Sequence, residues 1–259
     1  MSSKCKIVLL VASLAAAMFI ALPAASGAEL QVHVSIAMHG AVAEVAATFE
    51  KQTGHTVKIT ASTPGQIVAS LKGAAPPDVV VQIDSAIPEM EDKGLVRRGR
   101  VPLGTTGFGI ATRSGDPAPD IATPDALKAV LLGAAKVIYN DPDTTPSGKL
   151  LLTIAERLGV ADEVKAKSQV VAAGANVDTL AKYSGEGPVI AFAVLVEIPG
   201  HPGAKAIGSL PKELQVPLPY SALLSSTPKV EIAAEAFLRA LGTPEAKKAY
   251  VKAGFEVKP

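Results

Sequence analysis

Cysteine is almost absent from this 259-residue sequence, whose single copy is Cys5. One thiol cannot form an internal disulfide framework or a cysteine-ligated metal site. Cys5 also does not follow an apolar segment and small residues, where a lipid-anchored cysteine would stand. The sequence therefore excludes a disulfide scaffold. It also excludes an enzyme with a catalytic thiol after the N-terminal segment, because no cysteine follows Cys5.

Aromatic residues and clustered charge are also scarce. Trp does not occur, and Phe, Trp and Tyr together make up 4% of the residues. No basic run occurs, and the formal net charge is +1. Stacking platforms for bases need aromatic side chains, and phosphate backbones need basic patches, so nucleic acid is excluded as the main partner. The core must instead be built from Ala, Val, Leu and Ile.

The first 28 residues have the three parts of a secretory signal peptide. Lys4 and Lys6 precede the apolar segment 7–22, and Pro23 and small residues follow it up to Ala28. The apolar segment is shorter than the roughly 20 residues that span a bilayer. We therefore expect cleavage after Ala28 and export to the periplasm, with a retained N-terminal anchor as the alternative. Without this segment, 23 Lys and Arg (25 minus 2) face 24 Asp and Glu, a net charge of −1.

Short apolar segments alternate with longer helical patterns along the rest of the chain. Residues 30–36 alternate apolar and polar side chains like a half-buried strand, and residues 78–83 form an apolar run typical of a fully buried strand. Residues 105–113 are interpreted as one glycine-punctuated strand. Threonine followed by proline, as in Thr63-Pro64, indicates the start of a helix. This order predicts the α/β class, with βαβ units around a mainly parallel sheet.

Recognisable catalytic motifs are missing from the chain. Ser226 and Lys229 match one element of the penicillin-binding enzymes, but the companion sequences do not occur. No nucleophile elbow, His-Glu-x-x-His or Cys-x-x-Cys motif occurs, and the histidines share no metal-ligand spacing. The sequence therefore predicts a protein that is not an enzyme and has no catalytic residue, metal site or cofactor.

Four predicted strand-to-helix turns carry backbone N–H groups without intrahelical partners. They are residues 38–40, 63–65, 145–148 and 176–177, and Asn176 is expected to cap the helix that follows it. In parallel α/β sheets such turns meet at the carboxyl ends of the strands, where ligands bind. Helix N-termini favour anions without Lys or Arg. Turns of this kind also cap helices in every α/β protein, so an anion site and ordinary capping both remain open.

Several segments together resemble the molybdate-binding proteins of bacterial ABC importers, within the type II periplasmic binding proteins. The segments are 49–54 (FEKQTG), 73–80 (GAAPPDVV), 141–148, 176–177, 208–215 and 234–246. The resemblance implies two Rossmann-like lobes joined by two crossover strands, with the ligand cleft between them. It places residues 29–105 and 218–259 in lobe I and residues 106–217 in lobe II. The implied partners are a small anionic ligand and an ABC permease in the inner membrane, and we expect a monomer.

The molybdate site of that family can be carried over position by position. Its first two turns supply two serine hydroxyls, where this chain has Ala37 and Pro64. Backbone N–H groups come from the positions of Ser147 and Val177, and a tyrosine hydroxyl from the position of Phe192. With the turn neighbours included, the predicted ligand-binding residues are Ala37, Met38, His39, Thr63, Pro64, Gly65, Ser147, Gly148, Val177 and Phe192.

These observations predict an exported solute-binding protein that captures a small anion, a molybdate- or tungstate-like oxyanion first, for an ABC importer. Backbone N–H groups are the expected donors, assisted by the hydroxyls of Thr63 and Ser147. Ala37, Pro64 and Phe192 make the cleft more apolar than that of the family. A small organic acid or a metal chelate therefore stays open as the ligand. A periplasmic sensor or scaffold with a signalling partner is a further alternative, and an enzyme that hydrolyses an ester or lactam ranks last.

Overall fold

Residues 27–258 are described by the computed structural model, so all but the last two residues of the predicted signal peptide lie outside the described part. No helix within that part is both long and apolar enough to cross a membrane. The strands are β1 (Glu29–Ser35), β2 (Thr56–Ser62), β3 (Val79–Ile83), β4 (Val101–Thr106), β5 (Phe108–Arg113), β6 (Lys136–Asn140), β7 (Ser168–Val171), β8 (Val189–Val194), β9 (Ala204–Ser209) and β10 (Leu218–Leu224).

The helices alternate with these strands along most of the chain. They are α1 (His39–Thr53), α2 (Pro64–Leu71), α3 (Ile87–Asp92), α4 (Pro124–Gly133), α5 (Pro146–Leu158), α6 (Ala161–Ala166), α7 (Asn176–Lys182), α8 (Glu231–Leu241) and α9 (Pro244–Lys252). Three short 3₁₀ helices follow β1, β3 and β8, at Ile36–Met38, Asp84–Ala86 and Leu195–Glu197. The expected α/β order is therefore present.

The strands form two five-stranded sheets, ordered β2-β1-β3-β10-β4 and β7-β6-β8-β5-β9. The prediction of a mainly parallel sheet is wrong. β1 pairs in parallel with β2 and β3, whereas β10 pairs antiparallel with β3 and β4. The second sheet repeats this pattern, because β5 runs antiparallel to β8 and β9. β10 in the first sheet and β5 in the second thus run antiparallel to both of their neighbours, so two of the four pairings in each sheet are antiparallel.

The interpretation of residues 105–113 as one strand is also wrong, because the chain changes sheet at Gly107. The Phe108 N–H donates to Oε1 of Gln215 at 2.8 Å, and Nε2 of Gln215 donates to the Phe108 carbonyl at 2.8 Å. A Cβ atom at Gly107 would lie 2.8 Å from the Gln215 side-chain amide, so a larger residue would displace this amide from its two hydrogen bonds. The strands of the first sheet come from residues 29–106 and 218–224, and those of the second from 108–209. The lobe boundaries, which assign every residue, stay a prediction.

Both sheets carry helices on their two faces. In the first sheet α1, α8 and α9 lie on one face and α2 and α3 on the other, and in the second α7 lies opposite α4, α5 and α6. Strand β3 is therefore buried throughout: Val79 and Val81 join one apolar cluster and Val80 another. Strand β8 divides its side chains in the same way. Continuous apolar runs are what a strand covered on both faces needs.

Threonine-proline pairs begin four helices. Thr63, Thr123, Thr145 and Thr243 are N-caps whose hydroxyls accept a backbone N–H, with proline at the first helical position. Such caps satisfy one of the N–H groups that the first turn leaves without an acceptor. The capping role expected for Asn176 is wrong, because Ala175 is the N-cap residue of α7 and makes no side-chain cap.

Candidate functional site

A cavity lies between the two sheets, where the carboxyl ends of β1, β2, β3, β6 and β8 converge. Its volume is about 60 Å³. One water molecule needs at least roughly 10–15 Å³ measured in this way, so the cavity suits a ligand of a few heavy atoms. The crevice outside the strand ends is also where open α/β sheets place their ligands. Geometry alone thus identifies this cavity as the candidate binding site.

The ends of β1 and β2 contribute three hydroxyl groups to the cavity. Ser35 and Ser62 end the paired strands β1 and β2, stand opposite each other in register and are buried. Thr63 follows and caps α2, and its Oγ1 accepts the N–H of Gln66 at 3.3 Å. Ser35 donates to Oε1 of Gln82 at 3.0 Å. The hydroxyls of Ser62 and Thr63 donate to no described residue, so both protons are available to a ligand.

The second sheet contributes the start of α5 and the end of β6. Thr145, the N-cap of α5, accepts the Gly148 N–H at 3.2 Å. Nδ2 of Asn140 lies 3.4 Å from Oγ of Ser147, which lies 3.4 Å from Oγ1 of Thr145. Oδ1 of Asn140 is buried and has no hydrogen-bond partner among residues 27–258. Asp141 only shapes this turn, since its Oδ1 accepts the Asp143 N–H at 2.9 Å.

Four of the residues predicted to bind the ligand line this cavity, namely Ala37, Thr63, Pro64 and Ser147. Gly65 is exposed outside the cavity, and Met38 is buried in the core. Gly148 lies behind the wall: a Cβ there would be 2.0 Å from the Asn140 carbonyl oxygen, so glycine lets α5 approach β6. The remaining predicted residues, His39, Val177 and Phe192, also lie outside it.

Phe192 is buried and stacks on Phe108, with ring centroids 5.6 Å apart, and only Phe108 lines the cavity. The main-chain carbonyl of Phe192 accepts from Nδ2 of the buried Asn176 at 2.7 Å. A tyrosine nonetheless faces the cavity from another strand, since Tyr220 of β10 is among its lining residues. Burial and the neighbouring Glu197 raise the pKa of Tyr220, so its hydroxyl stays protonated at neutral pH.

Glu197 brings a carboxyl group to the same wall. It ends the 3₁₀ helix that follows β8, and although part of the residue is exposed, its Oε2 is buried without a hydrogen-bond partner among the described residues. Burial raises the pKa of this carboxyl from 4.5 to about 7. None of the described residues lining the cavity is Lys or Arg. The site thus combines neutral hydroxyls with one acid that is half-protonated near neutral pH.

A larger cavity of about 640 Å³ adjoins the first and shares Ile36, Ala37, Gly174 and Glu197 with it. His39 and Val177, both predicted ligand residues, lie here, together with His201 and Lys252. We call it the outer cavity. The outer cavity is larger than the small cavity and has more basic side chains in its lining. Sequence reasoning did not select Ser35, Ser62, Tyr220 or Glu197 as site residues. The two serines had a usable signal, since they are the polar residues that end β1 and β2.

No group of three or more His, Cys, Asp or Glu side chains in the part of the chain that the structure describes is placed to hold a metal ion. The donors at the cavity are hydroxyls, amides and one acid. Such a set can bind an oxygen-rich anion through hydrogen bonds, and Glu197 can exchange one proton with it.

Comparison with known families agrees with this geometry. The family model described as "Bacterial extracellular solute-binding protein" matches residues 30–256. The chain belongs to this family. It is 27% identical over 247 residues to the molybdate-binding protein ModA of Rhodobacter capsulatus, covering 94% of each chain. It is also 31% identical over 227 residues to an aconitate isomerase of a Pseudomonas species, covering 85% of this chain and 84% of the relative.

Among solved structures, the periplasmic molybdate-binding protein of Azotobacter vinelandii superimposes with a TM-score of 0.73 at 20% identity, covering 89% of this chain and all of the other. At that identity the likeness shows the fold. The resemblance to the molybdate-binding proteins and the type II periplasmic binding protein fold are both confirmed. This family member is thus a divergent relative of the molybdate-binding proteins.

Proposed function

We propose that the protein captures a small anion in the periplasm and presents it, as a monomer, to an ABC permease of the inner membrane. A tetrahedral oxyanion of the molybdate and tungstate type is the ligand that we expect first. The observation that carries this proposal is the cavity of about 60 Å³ between the sheets, lined by hydroxyls from both and by no described Lys or Arg. Neutral, fixed donors of this kind bind an anion and select it by size.

Two helix N-termini support the choice of an anion. The eight-residue α2 begins at Pro64 and the thirteen-residue α5 at Pro146, and both residues line the cavity. The partial positive charge of a helix N-terminus favours a negative ligand. The hydroxyl of Ser62, which is buried at the end of β2 and lines the cavity, adds an independent donor. The relatives named as molybdate-binding proteins support the same ligand class.

A titration of the purified protein with molybdate, tungstate, sulfate, phosphate and small carboxylates tests this proposal. We expect molybdate and tungstate to bind and Ser62→Ala to weaken binding about tenfold or more, since a hydrogen bond to a charged partner contributes about 1.5–3 kcal/mol. Ser85→Ala is the matched control, because Ser85 is an exposed serine outside the cavity. Absence of binding by every oxyanion, or equal loss in both variants, would contradict the proposal.

A small carboxylic acid is the second candidate ligand. The aconitate isomerase relative and the protonatable carboxyl of Glu197 favour it, because a carboxylate ligand can share a proton with that group. Competition between aconitate and molybdate in the same titration separates the two ligand classes. We propose binding without catalysis. Incubating the protein with cis-aconitate and measuring the trans isomer tests that statement, and isomerisation abolished by Glu197→Gln would overturn it.

A further inference from the structure

The carboxyl group of Glu197 stands at the junction of the two cavities. Residue 197 lines both the small cavity and the outer cavity. Its Oε2 is inaccessible to water and accepts no hydrogen bond from any residue in the described range 27–258. A buried carboxylate normally has such partners, because losing water without replacing it is costly. Because residue 197 lines both cavities, a ligand bound there is the partner that the carboxyl group can reach by turning toward it.

The groups facing Glu197 do not neutralise it. Tyr220 of β10, whose hydroxyl remains protonated, is the titratable neighbour that shares the small cavity. Across the outer cavity lie His39 on α1, His201 after β8 and Lys252 on α9. His201 lies 3.1 Å from an Asp178 oxygen and Lys252 lies 2.9 Å from a Glu44 oxygen, whereas His39 forms no ion pair with Glu197 among the described residues.

The charge state of Glu197 decides whether an anion can occupy the small cavity. An ionised carboxylate would repel a bound anion at short range, and low polarity strengthens that repulsion. The neutral acid has an O–H group instead, and this donor can bond to an anion oxygen as the surrounding hydroxyls do. An anion in the cavity therefore stabilises the protonated form of Glu197.

We propose that Glu197 contacts the ligand as a neutral acid and donates a hydrogen bond to it, so that the site takes up an anion and one proton together. This inference rests on the proposed function, since it assumes that an anion binds in the small cavity. It adds a ligand residue that the resemblance did not provide. It also specifies a ligand class, namely anions that carry only acceptors, such as molybdate, tungstate or sulfate. Binding is then strongest in acidic medium, where the proton is already in place.

The test is the molybdate dissociation constant between about pH 6 and about pH 8.5, measured by calorimetry at micromolar ligand. We expect the affinity of the wild-type protein to fall above about pH 7, approaching tenfold per pH unit. Glu197→Gln, whose amide N–H donates at every pH, is expected to give a flat profile. Glu186→Gln is the matched control, because Glu186 is exposed and lines neither cavity. It should reproduce the wild-type slope.

A second readout needs no variant. Calorimetry of the wild-type protein in buffers of different ionisation enthalpy measures the protons taken up, and we expect about one per anion near the upper end of the pH range. Tight binding without proton uptake, or an equal slope in wild type and Glu197→Gln, would overturn this inference and leave the proposed function standing. Absence of anion binding at every pH would refute both.

Discussion

In the ligand-free protein, the buried carboxyl of Glu197 should make the folded state less stable as the pH rises. Its pKa is about 7 in the folded protein against an ordinary 4.5. Below pH 4.5 both the folded and the unfolded chain hold the proton, so the stabilising contribution is fully present. Between the two pKa values the unfolded chain releases its proton and the folded chain keeps it. The free energy of unfolding therefore falls over that interval and levels off above it.

The size of this loss follows from the two pKa values. One pH unit corresponds to about 1.36 kcal/mol, so the interval from 4.5 to about 7 amounts to roughly 3 kcal/mol. Glu197→Gln removes the titration while preserving the shape of the side chain. The difference in unfolding free energy between variant and wild type should thus increase by roughly 3 kcal/mol between acidic and mildly alkaline pH. For a chain of this size, a change of roughly 3 kcal/mol raises the Tm of Glu197→Gln relative to that of the wild type by roughly 6–12 °C.

Urea denaturation of both proteins across this pH range measures the difference directly, because the other titrating groups are common to both and cancel. Glu186→Gln should run parallel to the wild type, since Glu186 is exposed. Parallel curves for wild type and Glu197→Gln would refute the reasoning, because they would mean that water or a protein donor reaches the carboxylate in the folded state.

Three further changes have defined outcomes in thermal or urea unfolding. Thr63→Ala removes the cap of α2 and should cost about 1 kcal/mol. Gly148→Ala places a Cβ 2.0 Å from the Asn140 carbonyl oxygen, so it should destabilise the protein by about 1–3 kcal/mol or more and weaken anion binding. Asp78→Ala leaves the part-buried N–H groups of Gln31, Lys229 and Val230 without their carboxylate acceptor and should cost about 1–3 kcal/mol.

Each of these changes has its own control. Ser62→Ala removes a neighbouring hydroxyl that caps no helix and should leave stability nearly unchanged, whereas wild-type stability in Thr63→Ala would contradict the capping role of Thr63. Gly65→Ala is the control for Gly148, because nothing lies within 4 Å of a Cβ at that position. Wild-type stability in Gly148→Ala would disprove the close approach of α5 to β6. Asp78→Asn, which keeps one acceptor oxygen, should fall between wild type and Asp78→Ala.

Local features of the fold could be predicted from the sequence because their causes are local. The Thr-Pro pairs begin helices, and Gly54 ends α1 with a left-handed backbone at φ 72°. The apolar run of β3 correctly indicated a strand covered on both faces. Strand direction could not be predicted in the same way. β10 pairs antiparallel with β3, and this depends on how the chain returns from the other sheet, more than a hundred residues away from β3.

The candidate site shows the same limit. Thr63 and Ser147 lie in turns whose residue types are typical of helix starts, and the structure brings both to the cavity. Glu197 belongs to no sequence motif, and its pKa is raised only when the folded chain encloses its carboxyl group. Tyr220 lies on a strand of the other sheet, so no spacing in the sequence relates it to Phe192. Long-range packing, which a single sequence does not contain, creates this part of the site.

The position of β10 between β3 and β4 also sets an order for folding during synthesis. β3 and β4 have no hydrogen bonds to each other, and the strand that joins them begins at Leu218, long after β4 ends at Thr106. The second sheet is composed of residues 108–209 and is completed earlier. We therefore expect the middle of the chain to fold before its beginning. Until β10 arrives, β3 is an unpaired apolar edge, the kind of surface that a nascent chain must keep from aggregating.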